Sequence, residues 1–275
     1  MDNNNGNKYS VVKYLNLYIA GKIDEAEKYR LAYIPDKLIK FYSLGNRKLD
    51  NKKLKSLENQ QIWFSSSRYL NDPYEFEFMY IDKSQLIDRG YPKELLDYFS
   101  NYKDKYSVTS LSNSTVNNLP MWAYYTNNYK GYCVEYEVCD STRIYKVSYE
   151  PERSKVTNIF GKYINDVTNL FENKDKKTDT RIPDTFSQLF FHQFLTKHIS
   201  WSHENEYRIV MNIKNGGNVP ILDLGLKTKR IIAGLNCSEA HKERLNNISH
   251  KLSCGDLLCT RISDNDYTLL EDYNG

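Results

Sequence analysis

Apolar residues recur at roughly helical spacing near the start of the chain, between residues 9 and 29. Gly21 interrupts this stretch and Pro35 follows it, so we expect two short helices that end before residue 36. A second amphipathic stretch, at residues 184–198, predicts a further helix. The pattern therefore predicts an N-terminal helical annex with a flexible lead, residues 1–36, followed by a core domain, residues 37–275.

Short apolar or alternating segments in the core domain predict β-strands. These segments are residues 38–42, 61–65, 106–112, 132–138, 145–149, 207–211, 230–233 and 257–262. Helices are expected between them at residues 51–58, 92–102, 120–125 and 238–252, and residues 162–177 are expected to form helix plus loop. Asn215, Gly216 and Gly217 are typical of a hairpin turn. The expected class is α+β.

Composition narrows the class of protein. The 38 basic and 35 acidic residues leave a net charge of +3, which argues against nucleic-acid binding driven by overall charge. The chain lacks an apolar run of about 18 residues, the length that a membrane-spanning helix needs. Its start lacks the apolar stretch of a signal peptide, and its five cysteines are too few for a disulfide scaffold. We therefore expect a cytoplasmic protein with no membrane partner.

Three charged residues form the first candidate site. Glu204, Glu206 and Arg208 are spaced two apart, so on a strand all three project from one face. Neighbouring carboxylates repel each other, and one pKa rises unless a cation such as Arg208 intervenes. Such a pair suits chemistry with an oxocarbenium-like transition state. The alternative is a solvated strand face.

Hydroxyl and aromatic residues form the second candidate site. Ser110 and Ser112 share one face of a predicted strand, and small hydroxyl residues allow a ligand to approach closely and form hydrogen bonds. Trp122 and Tyr125 are three apart on the helix that follows, which predicts a stacking wall for a flat ring. The alternative is a strand edge with aromatic residues of the core.

Several blocks together resemble a bacterial family catalogued as domain of unknown function 2971. The resemblance extends over about residues 38–262 and leaves out the N-terminal annex. The chain departs from the family at Lys40-Phe41, where a Lys-Tyr pair is usual, and at Tyr124, where His is common. The blocks that carry it are Ile62-Trp63-Phe64-Ser65 with Asn71-Asp72-Pro73-Tyr74-Glu75, Met121-Trp122 with Tyr125 and Gly131, and Lys197-x(3)-Trp201-x(2)-Glu204-x-Glu206-x-Arg208.

The order of these blocks also resembles that of ADP-ribosyltransferases, which implies a split β-sheet core and NAD as the substrate. By this resemblance Glu206 would be the catalytic glutamate that holds the ribose 2′-hydroxyl, and Glu204 would orient or activate the acceptor. Lys40 would face NAD. The other residues expected at the NAD site or in support of it are Ser110, Ser112, Trp122, Tyr125, Asn71, Asp72, Trp201 and Arg208.

The resemblance implies transfer of ADP-ribose to a macromolecule, protein or nucleic acid, with water as another acceptor, in a toxin or anti-phage effector that needs no metal. Two other functions stay open. One is a non-enzymatic binding module in which Trp63, Trp122 and Trp201 build a core or a partner groove. The other is a metal-dependent hydrolase or nuclease that uses His203 beside Glu204 and Glu206. A zinc site would draw on Cys237, His241, Cys254 and Cys259, residues that also fit a core.

Overall fold

Two short helices open the described part of the chain. The computed structural model describes residues 9–100, 102–158, 160–161, 164–165 and 192–273. Helix α1, Val11–Ile19, begins at Ser10, whose hydroxyl accepts a hydrogen bond from the Lys13 amide. Gly21, with a φ of +74°, separates it from α2, Ile23–Leu31. The predicted pair of helices is confirmed.

A ten-stranded sheet forms the centre of the molecule, and the class is α+β as predicted. Its strands are β1 Lys37–Tyr42, β2 Gln61–Ser66, β4 Ser107–Ser112, β5 Tyr132–Val138, β6 Tyr145–Lys146, β10 Glu206–Met211, β11 Gly217–Pro220, β12 Leu226–Ala233, β13 Leu258–Ile262 and β14 Leu269–Tyr273. Across the sheet they follow the order β11-β2-β4-β1-β5-β12-β13-β14, with β10 paired to β4 and β6.

Further elements surround the sheet. Two small parallel pairs join β3, Met79–Tyr80, to β8, Ser154–Lys155, and β7, Ser148–Glu150, to β9, Thr196–His198. Further α-helices with both ends in the described ranges are α3 Arg47–Glu58, α4 Lys83–Asp88, α5 Lys93–Ser100, α6 Leu119–Tyr125 and α7 Glu239–Lys251. Among the described residues, no helix has the length and apolar character that crossing a membrane requires.

The sheet divides along one edge of β4. Strand β10 runs along the whole of the other edge, from Glu206 opposite Ser112 to Met211 opposite Ser107. On the dividing edge, β2 pairs with residues 107 and 108, whereas β1 pairs only with Ser112. β1 and β2 therefore separate from each other between these points, and they leave an opening beside residues 109–111.

Three predictions about the elements are wrong. Strand β11 pairs with β2 and not with β10, so Asn215, Gly216 and Gly217 do not close a hairpin. Gly216 is required there because a Cβ would lie 2.5 Å from the Phe64 carbonyl oxygen. Helix α3 begins after Asn46 and not after Asn51. Of the helix predicted at 184–198, residues 192–195 are helical but Thr196–His198 is a strand, and residues 184–191 lie outside the described residues.

Most of the polar segment predicted as helix plus loop, residues 162–177, also lies outside the described residues.

The N-terminal helices pack on the sheet through one hydrophobic cluster, in which Tyr14 and Leu15 meet Val108 of β4, Phe76 and Phe194. The annex therefore packs close to the residues that carry the candidate site.

Candidate functional site

A pocket of about 390 Å³ lies at the opening between β1 and β2. Lys40 of β1, Ser65 of β2 and Ser110 of β4 line it, so the separation of the strands produces the cavity. The predicted residues Asn71, Ser112, Tyr125, Glu204 and Glu206 line it too, together with Glu75, Lys197 and Lys53.

Five buried charged residues form one group of ion pairs, and all of them except Arg208 line the pocket. We call Glu75, Glu204, Glu206, Lys197 and Arg208 the charged cluster. Lys197 Nζ lies 2.7 Å from Glu204 Oε2 and 3.6 Å from both Glu75 Oε2 and Glu206 Oε2. Arg208 Nη2 lies 2.6 Å from Glu75 Oε1, and its Nε lies 2.7 Å from Glu206 Oε1. Each buried carboxylate thus has a cation partner, without which burial would be strongly unfavourable.

The predicted strand face is only partly right. Glu206 and Arg208 lie on β10, but Glu204 ends the 3₁₀ segment Ile199–Glu204, and Asn205 between them has a φ of +42°. Ser112 Oγ donates a hydrogen bond to the Glu204 carbonyl and holds this turn against β4. All three side chains nevertheless meet, because the turn brings the Glu204 carboxylate back beside Lys197, the partner that it shares with Glu206.

The two glutamates have pKa values shifted in opposite directions. Burial and the nearby Glu206 raise the pKa of Glu204, and Lys197 offsets only part of this rise. Burial would also raise the pKa of Glu206, but Arg208 and Lys197 outweigh it and hold that pKa below its ordinary value. Glu206 therefore stays ionised, while Glu204 is the carboxyl group that takes up a proton more readily.

Two tyrosines bind the glutamates. The Tyr125 hydroxyl donates a hydrogen bond to Glu204 Oε1, and the Tyr149 hydroxyl accepts one of 2.8 Å from the Glu206 amide. Burial and the charge of Glu204 raise the pKa of Tyr125, so its phenol stays protonated and remains a donor.

Lys40 lies on the pocket wall. Its Nζ donates a hydrogen bond of 3.0 Å to the Ser110 carbonyl oxygen. Burial lowers the pKa of Lys40 to about 8, although the charge of Glu206 acts in the opposite direction. The side chain of Ser110 hydrogen-bonds Glu206 and helps to keep it ionised. Lys40 and Ser110 are therefore placed beside the glutamates, as the sequence led us to expect.

Trp122 does not form the expected stacking wall. Its side chain is fully buried, its indole N–H donates to the Val116 carbonyl at 2.8 Å, and its ring packs edge-on against Phe41. The alternative, an aromatic residue of the core, is correct for Trp122. Tyr125 alone of this pair lines the pocket.

Two of the supporting residues serve the scaffold. Asp72 is buried, and its carboxylate accepts a hydrogen bond from the Tyr74 amide in the turn that leads to Glu75. Trp201 is half-buried, with Lys197 Nζ 4.7 Å from its ring centroid. Neither Asp72 nor Trp201 is among the residues that line the pocket; Asp72 contacts the turn before Glu75, and Trp201 contacts Lys197.

Glu75 and Lys197 were missing from the residues assigned to the site, although both belong to the blocks that carry the family resemblance. The signal that could have identified Lys197 is charge balance, because two buried glutamates beside one arginine leave one carboxylate without a cation. No such signal identifies Glu75. In the described part of the chain, no three His, Cys, Asp or Glu side chains are grouped in a way that could hold a metal ion.

One family model matches the chain. Residues 121–209 match the model described as "Protein of unknown function (DUF2971)", which confirms the family resemblance. The matched segment includes Tyr125, Lys197 and both glutamates of the pocket, whereas Lys40 and Glu75 lie before it. No curated protein and no solved structure matches the chain.

Proposed function

We propose that this protein is an NAD-dependent, ADP-ribosyltransferase-like enzyme that breaks the nicotinamide glycosidic bond and transfers ADP-ribose to a macromolecule. One observation carries the proposal: Glu204 and Glu206 line the same pocket with pKa values shifted in opposite directions. Two carboxyl groups whose environments separate their pKa values are a common arrangement for acid–base chemistry at a glycosidic bond.

Glu206 would act on the developing cation. As the C1′–N bond breaks, its electron pair leaves with nicotinamide, and positive charge spreads over the ribose ring. The ionised Glu206 carboxylate would stabilise that charge and accept a hydrogen bond from the 2′-hydroxyl. A buried, fixed carboxylate performs this role better than one in water, because it needs no reorganisation during the reaction.

Glu204 would act on the acceptor. When an acceptor oxygen or nitrogen forms its bond to C1′, the proton it loses would pass to Glu204. A carboxylate with a raised pKa is a stronger base than an ordinary one, and it is used in its ionised form. The Tyr125 hydroxyl, hydrogen-bonded to Glu204, would orient it for this step.

The size of the pocket is compatible with this substrate class. Its volume of about 390 Å³ lies within the range of roughly 300–1,000 Å³ that is usual for small-molecule sites. Trp122 is buried in the core, but the half-buried Tyr125 lines the pocket and can contact a flat ring there. The order of the sequence blocks, which resembles that of ADP-ribosyltransferases, further supports a bacterial toxin or anti-phage effector in the cytoplasm, with a protein or nucleic acid as the acceptor.

A non-enzymatic binding module is the second candidate, and one observation favours it. Arg208 already contacts both oxygens of Glu206, at 2.7 and 3.0 Å. A carboxylate held in this way can serve the fold alone. In that case neutralising Glu206 would change the stability of the protein without removing a catalytic activity.

The test is release of nicotinamide from NAD by the purified protein, with and without a cell lysate as the source of acceptor. We expect release by the wild type and a loss of at least about 100-fold in Glu206→Gln, the scale typical of one lost electrostatic contact. The matched control is Glu137→Gln, because Glu137 lies half-exposed on β5, outside the pocket lining, and forms an ion pair with the surface residue Lys229.

Glu204→Gln is included in case Glu206→Gln fails to fold. Its raised pKa indicates that Glu204 tolerates neutralisation better than Glu206 does. Wild-type protein that releases no nicotinamide under either condition, and whose thermal unfolding does not respond to NAD, would favour the binding module.

A further inference from the structure

A second lysine, Lys53, lines the pocket together with Lys40. Lys53 lies on α3, and its Nζ donates hydrogen bonds to the carbonyl and hydroxyl oxygens of Ser43, at 2.7 and 2.8 Å. Both Lys53 and Ser43 line the pocket. An ammonium group has three donors, so one donor of Lys53 remains after Ser43, and two donors of Lys40 remain after the Ser110 carbonyl.

Among the described residues, no carboxylate oxygen lies within 4 Å of the ammonium group of Lys40 or of Lys53. The ion pairs there assign Glu75, Glu204 and Glu206 to Lys197 and Arg208. The nearest acidic influence on Lys53 is Asp50, one turn earlier on α3, whose carboxylate instead accepts a hydrogen bond from the Gly45 amide at 3.0 Å. In the described part of the chain, Lys40 and Lys53 therefore carry positive charge without an ion-pair partner, although the charges of Glu206 and Asp50 act on them from beyond 4 Å.

The charged cluster, Lys40 and Lys53 together carry a net charge of +1 when all three glutamates are ionised, and Arg208, which supplies one of the four cations, does not itself line the pocket. The charged cluster sets three carboxylates against two cations, and Lys40 and Lys53 add two more cations along the wall. Burial lowers the pKa of Lys53 as well as that of Lys40, which is the response of a charge that lacks a partner. An anionic ligand group would supply that partner.

We propose that Lys53, with Lys40, binds the phosphate-bearing part of the ligand on the pocket wall, so that the ligand's sugar faces the glutamates. This inference rests on the proposed function and adds to it a residue that neither the family resemblance nor the block order assigns. A diphosphate is the chemistry that fits best, since two ammonium groups that line one pocket can each bind one phosphoryl group.

Inorganic pyrophosphate tests the site without any catalysis. Titration calorimetry at low salt should detect its binding to the wild type, and Lys53→Met should weaken that binding at least about tenfold, the loss expected for one charge-assisted contact. The matched control is Lys55→Met, because Lys55 lies exposed on the same helix and does not line the pocket. Equal affinity in folded Lys53→Met and wild type would overturn the inference.

A measurement on the unaltered chain covers the case in which Lys53→Met does not fold. Amine acetylation followed by mass spectrometry should show that pyrophosphate protects Lys53 and Lys40, while the exposed Lys52 and Lys55 react as before. Absence of protection at Lys53 would overturn the inference.

The two proposals can fail separately. Pyrophosphate binding through Lys53 without nicotinamide release would keep the phosphate site and remove the NAD chemistry. Nicotinamide release with no protection of Lys53 would do the reverse.

Discussion

Replacing Lys197 by Met tests whether the charged cluster behaves as a unit. Lys197 is buried, and its Nζ lies within 4 Å of all three glutamates. The Met side chain has a similar length but no charge, so the three carboxylates would share Arg208 alone. Removing one partner of a buried ion pair typically destabilises a protein by about 3–5 kcal/mol.

The loss of stability in Lys197→Met should depend on pH, and the direction of this dependence follows from the pKa of Glu204. The pKa of Glu204 in the folded protein is already raised, so its contribution to stability is present at low pH and is lost as pH rises through that pKa. Lys197 lowers this pKa, so its removal raises the pKa further. Between the two pKa values the difference in stability between variant and wild type changes by about 1.4 kcal/mol per pH unit.

Urea unfolding followed by tryptophan fluorescence measures both effects. We expect Lys197→Met to lose about 3–5 kcal/mol at pH 8 and at least about 1 kcal/mol less at pH 5. The control is Lys229→Met, since Lys229 and Glu137 pair at 3.0 Å with both side chains about 40% exposed, and such pairs contribute less than about 1 kcal/mol. A Lys197→Met loss no larger than that of the control, or one independent of pH, would refute the reasoning.

Three further predictions concern Tyr125, Trp122 and Lys40. Tyr125→Phe removes a hydrogen bond that lowers the pKa of Glu204, so this pKa should rise. In the pH–rate profile for nicotinamide release, the limb that reports Glu204 should then move to higher pH, and an unchanged profile would contradict the assignment. Trp122→Ala should reduce the free energy of unfolding by about 3–5 kcal/mol in urea titrations, because the ring is fully buried, and a loss below about 1 kcal/mol would place it outside the core. Pyrophosphate affinity, measured by calorimetry, should decline as pH passes about 8, where Lys40 loses its charge; affinity that is constant between pH 7 and 9 would contradict a role for Lys40.

Local pattern was enough to predict most of the elements. Gly21 and Pro35 delimited the two N-terminal helices, and the alternating segment at residues 132–138 is strand β5. Gly131, part of one family block, also has a physical reason, because a Cβ there would lie 1.9 Å from the Tyr42 carbonyl oxygen. The signals for the N-terminal helices and for β5 depend on neighbouring residues alone, whereas Gly131 fits a contact with the distant strand β1.

Pairing between distant segments was not predictable in the same way. The turn at Asn215 to Gly217 has hairpin composition, but its glycine fits beneath the Phe64 carbonyl, and β11 pairs with β2. Helical periodicity likewise extended too far at residues 196–198, where pairing with β7 forms a strand. In both cases tertiary contacts outweigh local preference.

The candidate site was predicted in part. Spacing brought Glu204, Glu206 and Arg208 together correctly, although it placed Glu204 on the wrong element. It could not show that Trp122 points into the core, since an aromatic pair on a helix serves a core as well as a ligand wall. Glu75 required knowledge of the fold, because its ion pairs with Lys197 and Arg208 depend on contacts between residues far apart in the chain.

The proposed chemistry depends on Glu204 and Glu206 having pKa values shifted in opposite directions within one pocket. The most direct measurement is an NMR titration of protein labelled with carbon-13 at the glutamate carboxyl groups, with the two signals assigned from Glu204→Gln and Glu206→Gln. We predict that the Glu206 signal titrates below the ordinary range for glutamate and the Glu204 signal above it. Two signals that titrate together in the ordinary range, or in the reverse order, would contradict the account.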